Sequence, residues 1–217
     1  MNNKVTNHEI IAFLKGNYPG TGFIDGLKIK YRSLICPFIE LISKVKPGEK
    51  VGDVGCGSGQ FLLLLSHFAQ PSELFGIEIS DRLIENANNL FSKQNFSNYK
   101  FATYDGVHFP ADLGNCDIIF LIDVLHHVPK LNQTQFVSDL AKVMKPGSRL
   151  ILKDINAESP LVYCNKLHDI IFAGEKGNEL GFKKAKELLI ANELEIIEEQ
   201  KRTMYVYPHY TIVARKK

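Results

Sequence analysis

Residues 51–60 read VGDVGCGSGQ, four glycines and an aspartate set between two apolar runs. A glycine-rich turn that leaves a strand and opens a helix holds its ligand largely through main-chain groups. What the ligand is depends on the spacing of these glycines and on what the following strands bring beside them.

The dinucleotide fingerprint is G-x-G-x-x-G. Gly55, Gly57 and Gly59 instead run G-x-G-x-G, and Gln60 stands where the third fingerprint glycine would be. A tight strand-to-helix turn explains a lone G-x-G equally well, so the neighbours must decide. Asp53 lies two residues before Gly55 in a buried strand end, where a carboxylate needs a donor or a cation. Glu78 ends the next strand signal, ELFGIEI, placed to accept hydrogen bonds from ribose hydroxyls. Asp105 follows the third, NYKFATYD, placed to accept from an exocyclic amine. Three carboxylates at three successive strand ends suit a cofactor with an ammonium, a ribose diol and an adenine amine. They suit a pyrophosphate badly. A short-chain NAD oxidoreductase would want Y-x-x-x-K, and none of the eight tyrosines has lysine four residues on.

Strand and helix signals alternate from about residue 50. KVGDVG is followed by the helical QFLLLLSHFA, ELFGIEI by DRLIENANNLFSKQ with Asp81 at its first turn or cap, and CDIIFLID by the amphipathic TQFVSDLAKVMK. Pro146-Gly147 stops that helix, and SRLILKDI is the next strand. Such alternation implies right-handed crossovers and a mostly parallel sheet covered on both faces. Residues 8–15 and 30–45 read as helices joined by a loop containing YPGTGFIDG. Residues 156–192 form a connection with two helices, longer than one crossover needs. LEIIEEQKRTMYVY and HYTIVARK read as a closing strand pair, with Pro208 at or near the turn because it cannot donate to a ladder.

At 217 residues the chain is expected to be one domain. A net charge of +2 with scattered basic residues gives no polyanion signal, so nucleic acid is not expected as a partner. MNNKVTNHEI lacks the apolar core of a signal peptide, and FLLLL and DIIFLIDVL are too short for a membrane span, which together point to a cytoplasmic protein. Cys36, Cys56, Cys116 and Cys164 are far apart with no C-x-x-C pair. Neither a disulfide framework nor a metal site is expected, only reduced thiols.

VGDVGCGSG resembles the first motif of class I S-adenosylmethionine-dependent methyltransferases. FGIEIS resembles their acidic post-motif and ATYDG their adenine-side motif; CDIIFLIDVLHHVP and LAKVMKPGSRLILKDI resemble the next two. The likeness covers roughly residues 48–155, and the closing strand pair fits as well. It implies an α/β fold: a doubly wound, seven-stranded, mostly parallel sheet (the Rossmann-like methyltransferase fold) with an antiparallel last strand. The single domain would comprise an N-terminal helical lid (1–47), a cofactor-binding core (48–155), a helical insert (156–192) and the strand pair (193–217). The cofactor would be S-adenosyl-L-methionine. Asp53 and Gly55 would hold its ammonium, Gly57 and Gly59 would admit it close to the backbone, and Cys56 and Gly106 would line the same loops. Glu78 would bind the ribose, Asp105 the adenine amine, and Ile79 one face of the ring. Asp123 would line the cleft by the methionine moiety. Gly52 departs from the family, which usually has a bulky apolar residue there, and should loosen local packing.

Methyl transfer is an in-line displacement from a sulfonium, so positioning does much of the work, and a base is needed only if the acceptor must lose a proton. His126, His127 and Asp154 are the candidate catalytic groups; the alternative for the histidine pair is loop capping. The chain lacks the N/D-P-P-Y/F run of amino-methylating DNA enzymes. The link YVYPHY should fall at the active-site rim, making Tyr205, Tyr207, His209 and Tyr210 candidate substrate walls, with Tyr207, His209 or Tyr210 expected at the pocket mouth, or else cover for the sheet edge. In LVYCNKLHDIIF, Asn165, His168 or Asp169, and Phe172 share a helical stripe that could close over the site, or simply belong to core and surface. Lys28, Lys30 and Arg32 around Tyr31 are solvated charges or one arm of a cofactor-carboxylate contact. The expected function is methyl transfer to a small-molecule acceptor, at an O, N or C nucleophile. The alternatives are a methyltransferase for protein or RNA, and a cofactor-binding partner protein without turnover. Oligomeric state is not legible.

Overall fold

Five consecutive residues, Lys50–Val54, form β1, whose last four are buried, as a strand covered on both faces requires. The computed structural model describes residues 5–17, 35–172 and 177–217, with side chains described outside 168–172. After the N-terminal helices α1 (Asn7–Asn17) and α2 (Phe38–Ile42), the chain alternates strand and helix. β1 is followed by α3 (Gln60–Phe68), β2 (Glu73–Glu78), α4 (Asp81–Phe91), β3 (Tyr99–Thr103), β4 (Ile118–Ile122), α5 (Gln133–Val143) and β5 (Arg149–Ile155). Then come α6 (Val162–Phe172), α7 (Phe182–Ala191), β6 (Leu194–Met204) and β7 (Tyr207–Lys216).

The strands form one seven-stranded sheet ordered β3-β2-β1-β4-β5-β7-β6. The first five pair in parallel, while β7 runs antiparallel to both β5 and β6. Alternation along each strand builds a core on either face. Ile118, Phe120, Ile122 and Ile151 join α1, α2 and α3 on one side. Ile119, Leu121, Leu150 and Leu152 join α5 and α7 on the other. Leu62–Leu65 of α3 are all fully buried, because this helix lies between the sheet and the N-terminal helices and so reads apolar all round. Strand order reverses between β1 and β4, the crevice where open α/β sheets bind their ligands.

Three readings of the sequence need correction. The helix expected over 30–45 is broken at Cys36-Pro37, with Pro37 at the N-cap of the short α2. Residues 18–34, with the YPGTGFIDG loop, Lys28, Lys30, Tyr31 and Arg32, lie outside the described residues. The hairpin tip is Tyr205-Val206, with Tyr205 at φ 56° as a tight hairpin demands, and Pro208 lies inside β7 opposite Thr203. There the β5 ladder has already ended at Ile155↔His209, and the Pro208 carbonyl accepts the Asn156 N–H at 2.7 Å.

Gly52 loosens nothing. A Cβ built there would stand 3.0 Å from Leu113 Cδ2 and 3.1 Å from Cys116 Sγ, because the 3-10 turn Ala111–Asn115 fills the space a larger residue would take. Gly52→Ala is therefore expected to destabilise the fold by about 1 kcal/mol through overpacking. Urea denaturation measures it; an unchanged midpoint would mean that Leu113 and Cys116 can retreat.

Candidate active site

The turn after β1 is held open by backbone that only glycine adopts easily. Gly55, Gly57 and Gly59 have φ of 76°, 55° and 77°. A Cβ on Gly55 would lie 2.4 Å from Val124 Cγ2, so the turn is pressed against the loop that leaves β4. The N–H groups of Gly55 and Cys56 both donate to the Ile77 carbonyl, at 2.8 and 3.0 Å, locking the turn to β2. Over Gly57 no atom comes within 4 Å of a built Cβ, leaving that face clear for a ligand. Cys56 turns its side chain into the core beside Gly76, where burial pushes its thiol up and the thiol donates to the Gly57 carbonyl at 3.6 Å.

The carboxylates stand at the ends of neighbouring strands. Asp53 is 3 % exposed on β1, between Gly76 of β2 and Phe120 of β4. Glu78 closes β2 and accepts from the N–H groups of Gly57 (3.1 Å), Ile79 (2.8 Å) and Ser80 (3.2 Å), so its carboxylate already reaches back over the glycine turn. Asp105 is an exposed turn residue beside Gly106, whose φ is 84°. Its Oδ1 accepts from the N–H groups of Val107 (2.8 Å) and His108 (2.6 Å), while Oδ2 faces His108 Nδ1 at 2.7 Å. The bonds to His108 and Val107 hold its carboxyl down to about 2. Beside it the apolar side chains of Ile79, 67 % exposed, and Val107 stand open at adjacent strand ends.

Beyond β4 and β5 the rim carries a buried polar cluster. Asp123 leaves β4 in the left-handed region, at φ 55°, with its N–H donating to the Lys153 carbonyl at 2.9 Å. The Lys153 ammonium donates to Asp123 Oδ1 at 2.6 Å. Burial disfavours the Asp123 charge, but that ammonium, with His209 and His126, holds the carboxyl well below its usual range. Asp154 points to the other face of β5. Its Oδ1 meets His126 Nδ1 at 2.5 Å and the Ile155 N–H at 2.7 Å, and its Oδ2 accepts the His126 N–H at 3.1 Å. His127 is exposed, with its ring 4.1 Å from that of His126.

Of the four residues expected as walls, Tyr207, His209 and Tyr210 are buried, while Tyr205 stands exposed with Val206 at the hairpin tip. Tyr207 packs with Ile155 and Val162, and its ring stacks on that of His209 with centroids 6.3 Å apart. Tyr210 pairs with Asp154 and His209 with Ile155 across β5 and β7, so the two sit on opposite faces of the sheet at its ligand end. His168 and Asp169 lie on α6, and their side chains, like that of Phe172, are outside the described residues.

Lys153 is the site residue that reading the sequence missed. A lysine and an aspartate side by side in SRLILKDI, a strand buried on both faces, must each find a partner there. That was the available signal. One oxygen or nitrogen each from Asp123, His126 and Asp154 lie within 4.8 Å of one another, a set able to ligate a cation. In this arrangement the Lys153 ammonium already faces Asp123, and His126 already faces Asp154.

Residues 45–202 match a sequence family described as a methyltransferase domain. The chain belongs to the class I S-adenosylmethionine-dependent methyltransferases. A tRNA (guanine-N(7)-)-methyltransferase of Synechococcus sp. is 31 % identical to this chain over 110 residues, 46 % of each. A probable chloroplastic tocopherol O-methyltransferase of Oryza sativa subsp. japonica is 32 % identical over 108 residues, 49 % of this chain and 29 % of that one. The chain thus matches less than half the length of either curated relative. In fold it is similar to magnesium protoporphyrin IX methyltransferase from Synechocystis PCC 6803, solved with bound SAH. The TM-score is 0.70 at 19 % identity, over 99 % of this chain and 96 % of that one. Among the described residues, no helix is long and apolar enough to cross a membrane.

Proposed function

We propose that this protein transfers a methyl group from S-adenosylmethionine to a small-molecule acceptor, chiefly by holding the two in line. The observation that carries the cofactor half is the Glu78 carboxylate drawn onto the Gly57 N–H beside an open glycine face. A ribose diol can replace those amide bonds, donating its hydroxyls to Glu78. The exposed Ile79 and Val107 would be covered by a flat purine, with Asp105 and Gly106 forming the turn at its edge. Asp53, Gly55 and Asp123 would surround the methionine end. For the acceptor, the rim beyond that end is walled by buried side chains, Lys153 and His209 on one face of the sheet, on a scale suited to a compact molecule. His126 and Asp154 would brace this wall through their mutual hydrogen bonds.

Calorimetry with SAH and with NAD tests the cofactor. Saturable binding of NAD alone would overturn the reading. Tritium transfer from labelled S-adenosylmethionine to a small-molecule cell extract, against purified tRNA, tests the acceptor; label only in tRNA would replace the small molecule by RNA.

Glu78→Ala is expected to weaken SAH binding by about 1–3 kcal/mol, the usual loss when buried polar partners go unpaired. The unliganded fold should lose about 1 kcal/mol or less, because water can reach the freed amides of this loop. Unchanged affinity would show that Glu78 serves the turn and not the cofactor.

A further inference from the structure

We propose that Lys153 and His209, backed by Asp123, form an oxyanion subsite for the methyl acceptor, and that the acceptor is therefore an acidic hydroxyl compound, a phenol or an enol. The inference rests on the reading of the chain as an active methyltransferase and goes further by naming the acceptor's chemical class.

Lys153 is 1 % exposed, and among the described residues its ammonium has a single hydrogen-bond acceptor, Asp123. An ammonium has three donors, so two remain for another partner. His209 is 3 % exposed, and among the described residues neither ring nitrogen has a partner at good hydrogen-bond geometry, although the Ile35 backbone lies close enough to favour its protonated form. An unmade hydrogen bond at such depth is rare in a finished fold and marks a place where a ligand completes the set. The two residues belong together. Ile155 faces His209 and Lys153 faces Thr211 across the β5–β7 ladder, which puts Lys153 and His209 on one face of the sheet. Burial, reinforced by the nearby ammonium and opposed by Asp123 and the Ile35 backbone, holds the imidazole near pKa 4. It is thus neutral at pH 7, with one N–H donor to offer.

An ammonium and a neutral imidazole converging beside the loop of Asp123, itself pressed on Gly55 through Val124, can hold one oxygen at the cofactor's methyl end. The donors favour that oxygen as an anion, and its proton leaves to water on binding. Transfer then balances without a base. The oxyanion's electron pair forms the new carbon–oxygen bond, the sulfur–methyl bond breaks with its pair going to sulfur, and an ether and a neutral thioether result. An amine would gain positive charge during the reaction, directly against the Lys153 ammonium, so nitrogen acceptors are disfavoured.

The test uses 4-nitrophenol as the probe with the protein saturated in SAH, reading the phenolate by its visible absorption. The apparent pKa of bound dye is expected to fall by about one unit, equivalent to about tenfold tighter binding of the anion. 4-Nitroaniline, of the same shape, should not compete. Lys153→Met should abolish the shift and Lys153→Arg restore part of it. His209→Leu, which leaves the Asp123–Lys153 pair intact, should weaken phenolate binding severalfold, so the test survives a poorly folding Lys153→Met. SAH calorimetry on each protein keeps the two readings apart. Wild-type protein that fails to bind SAH sinks the methyltransferase reading. SAH binding with no bound dye, with dye titrating as in water, or with equal binding of the aniline overturns the oxyanion subsite.

Discussion

Replacing Asp154 by alanine is expected to remove about 3–5 kcal/mol of stability, the range for stripping one partner from a buried ionisable pair. Asp154 is 1 % exposed and its two oxygens accept from His126 Nδ1, the His126 N–H and the Ile155 N–H. Alanine leaves all three donors inside the protein with nothing to bond, at the point where the 3-10 turn Leu125–His127 is fastened to β5. Thermal and urea unfolding of the single variants and of Asp154→Ala/His126→Ala give a double-mutant cycle, in which coupling of about 1–3 kcal/mol is expected. A loss below 1 kcal/mol with additive single effects would show that the contact is ornamental.

Acidification should expose His209. Its folded pKa of about 4 lies below the ordinary 6.5, so the unfolded chain takes up the proton first. The contribution is fully present above pH 6.5 and is lost as the pH falls towards 4, in total about 3 kcal/mol. The carboxyls of Asp105 and Asp123, both held low, respond only at still lower pH. Urea unfolding from pH 7.5 to 4 should therefore slope downward in wild-type protein and run nearly flat in His209→Leu across this window. A parallel slope in both proteins would assign the proton to another group.

The strands and the glycine turn were legible because burial writes them as apolar runs and because the turn needs positive φ at three places. Chain geometry alone then fixes which strand ends share a rim. What escaped the sequence was orientation. Asp105 was read as facing an adenine amine or else as a turn residue before Gly106, and in this structure its oxygens accept from the turn. Tyr207, His209 and Tyr210 were read as open rim residues; His209 and Tyr210 do stand at the ligand end of the sheet, but the two-residue tip at Tyr205-Val206 leaves all three buried. The shift follows from where the hairpin folds, which Pro208 suggested but did not determine. Gly52 was read as a weakness in the core because the residues that fill its space, Leu113 and Cys116, come from a turn with no sequence periodicity. Lys153 was passed over as part of an apolar strand, although a buried charge is the feature least tolerated without a purpose.

The place of β7 has a consequence for how the molecule is made. It is last in sequence among the strands, yet it lies between β5 and β6. As the chain leaves the ribosome amino end first, β1 to β5 can zip together in turn, but β6 has no neighbour to join until β7 has emerged. During that interval the outer edge of β5 stands unpaired, an invitation to pair with another chain, and the Lys153 and Asp154 side chains have no β7 beside them. Closing the sheet and setting His209 and Tyr210 beside the end of β5 are thus one event, and a nascent chain halted before Tyr207 would hold the glycine turn and the first five strands with the edge of β5 bare.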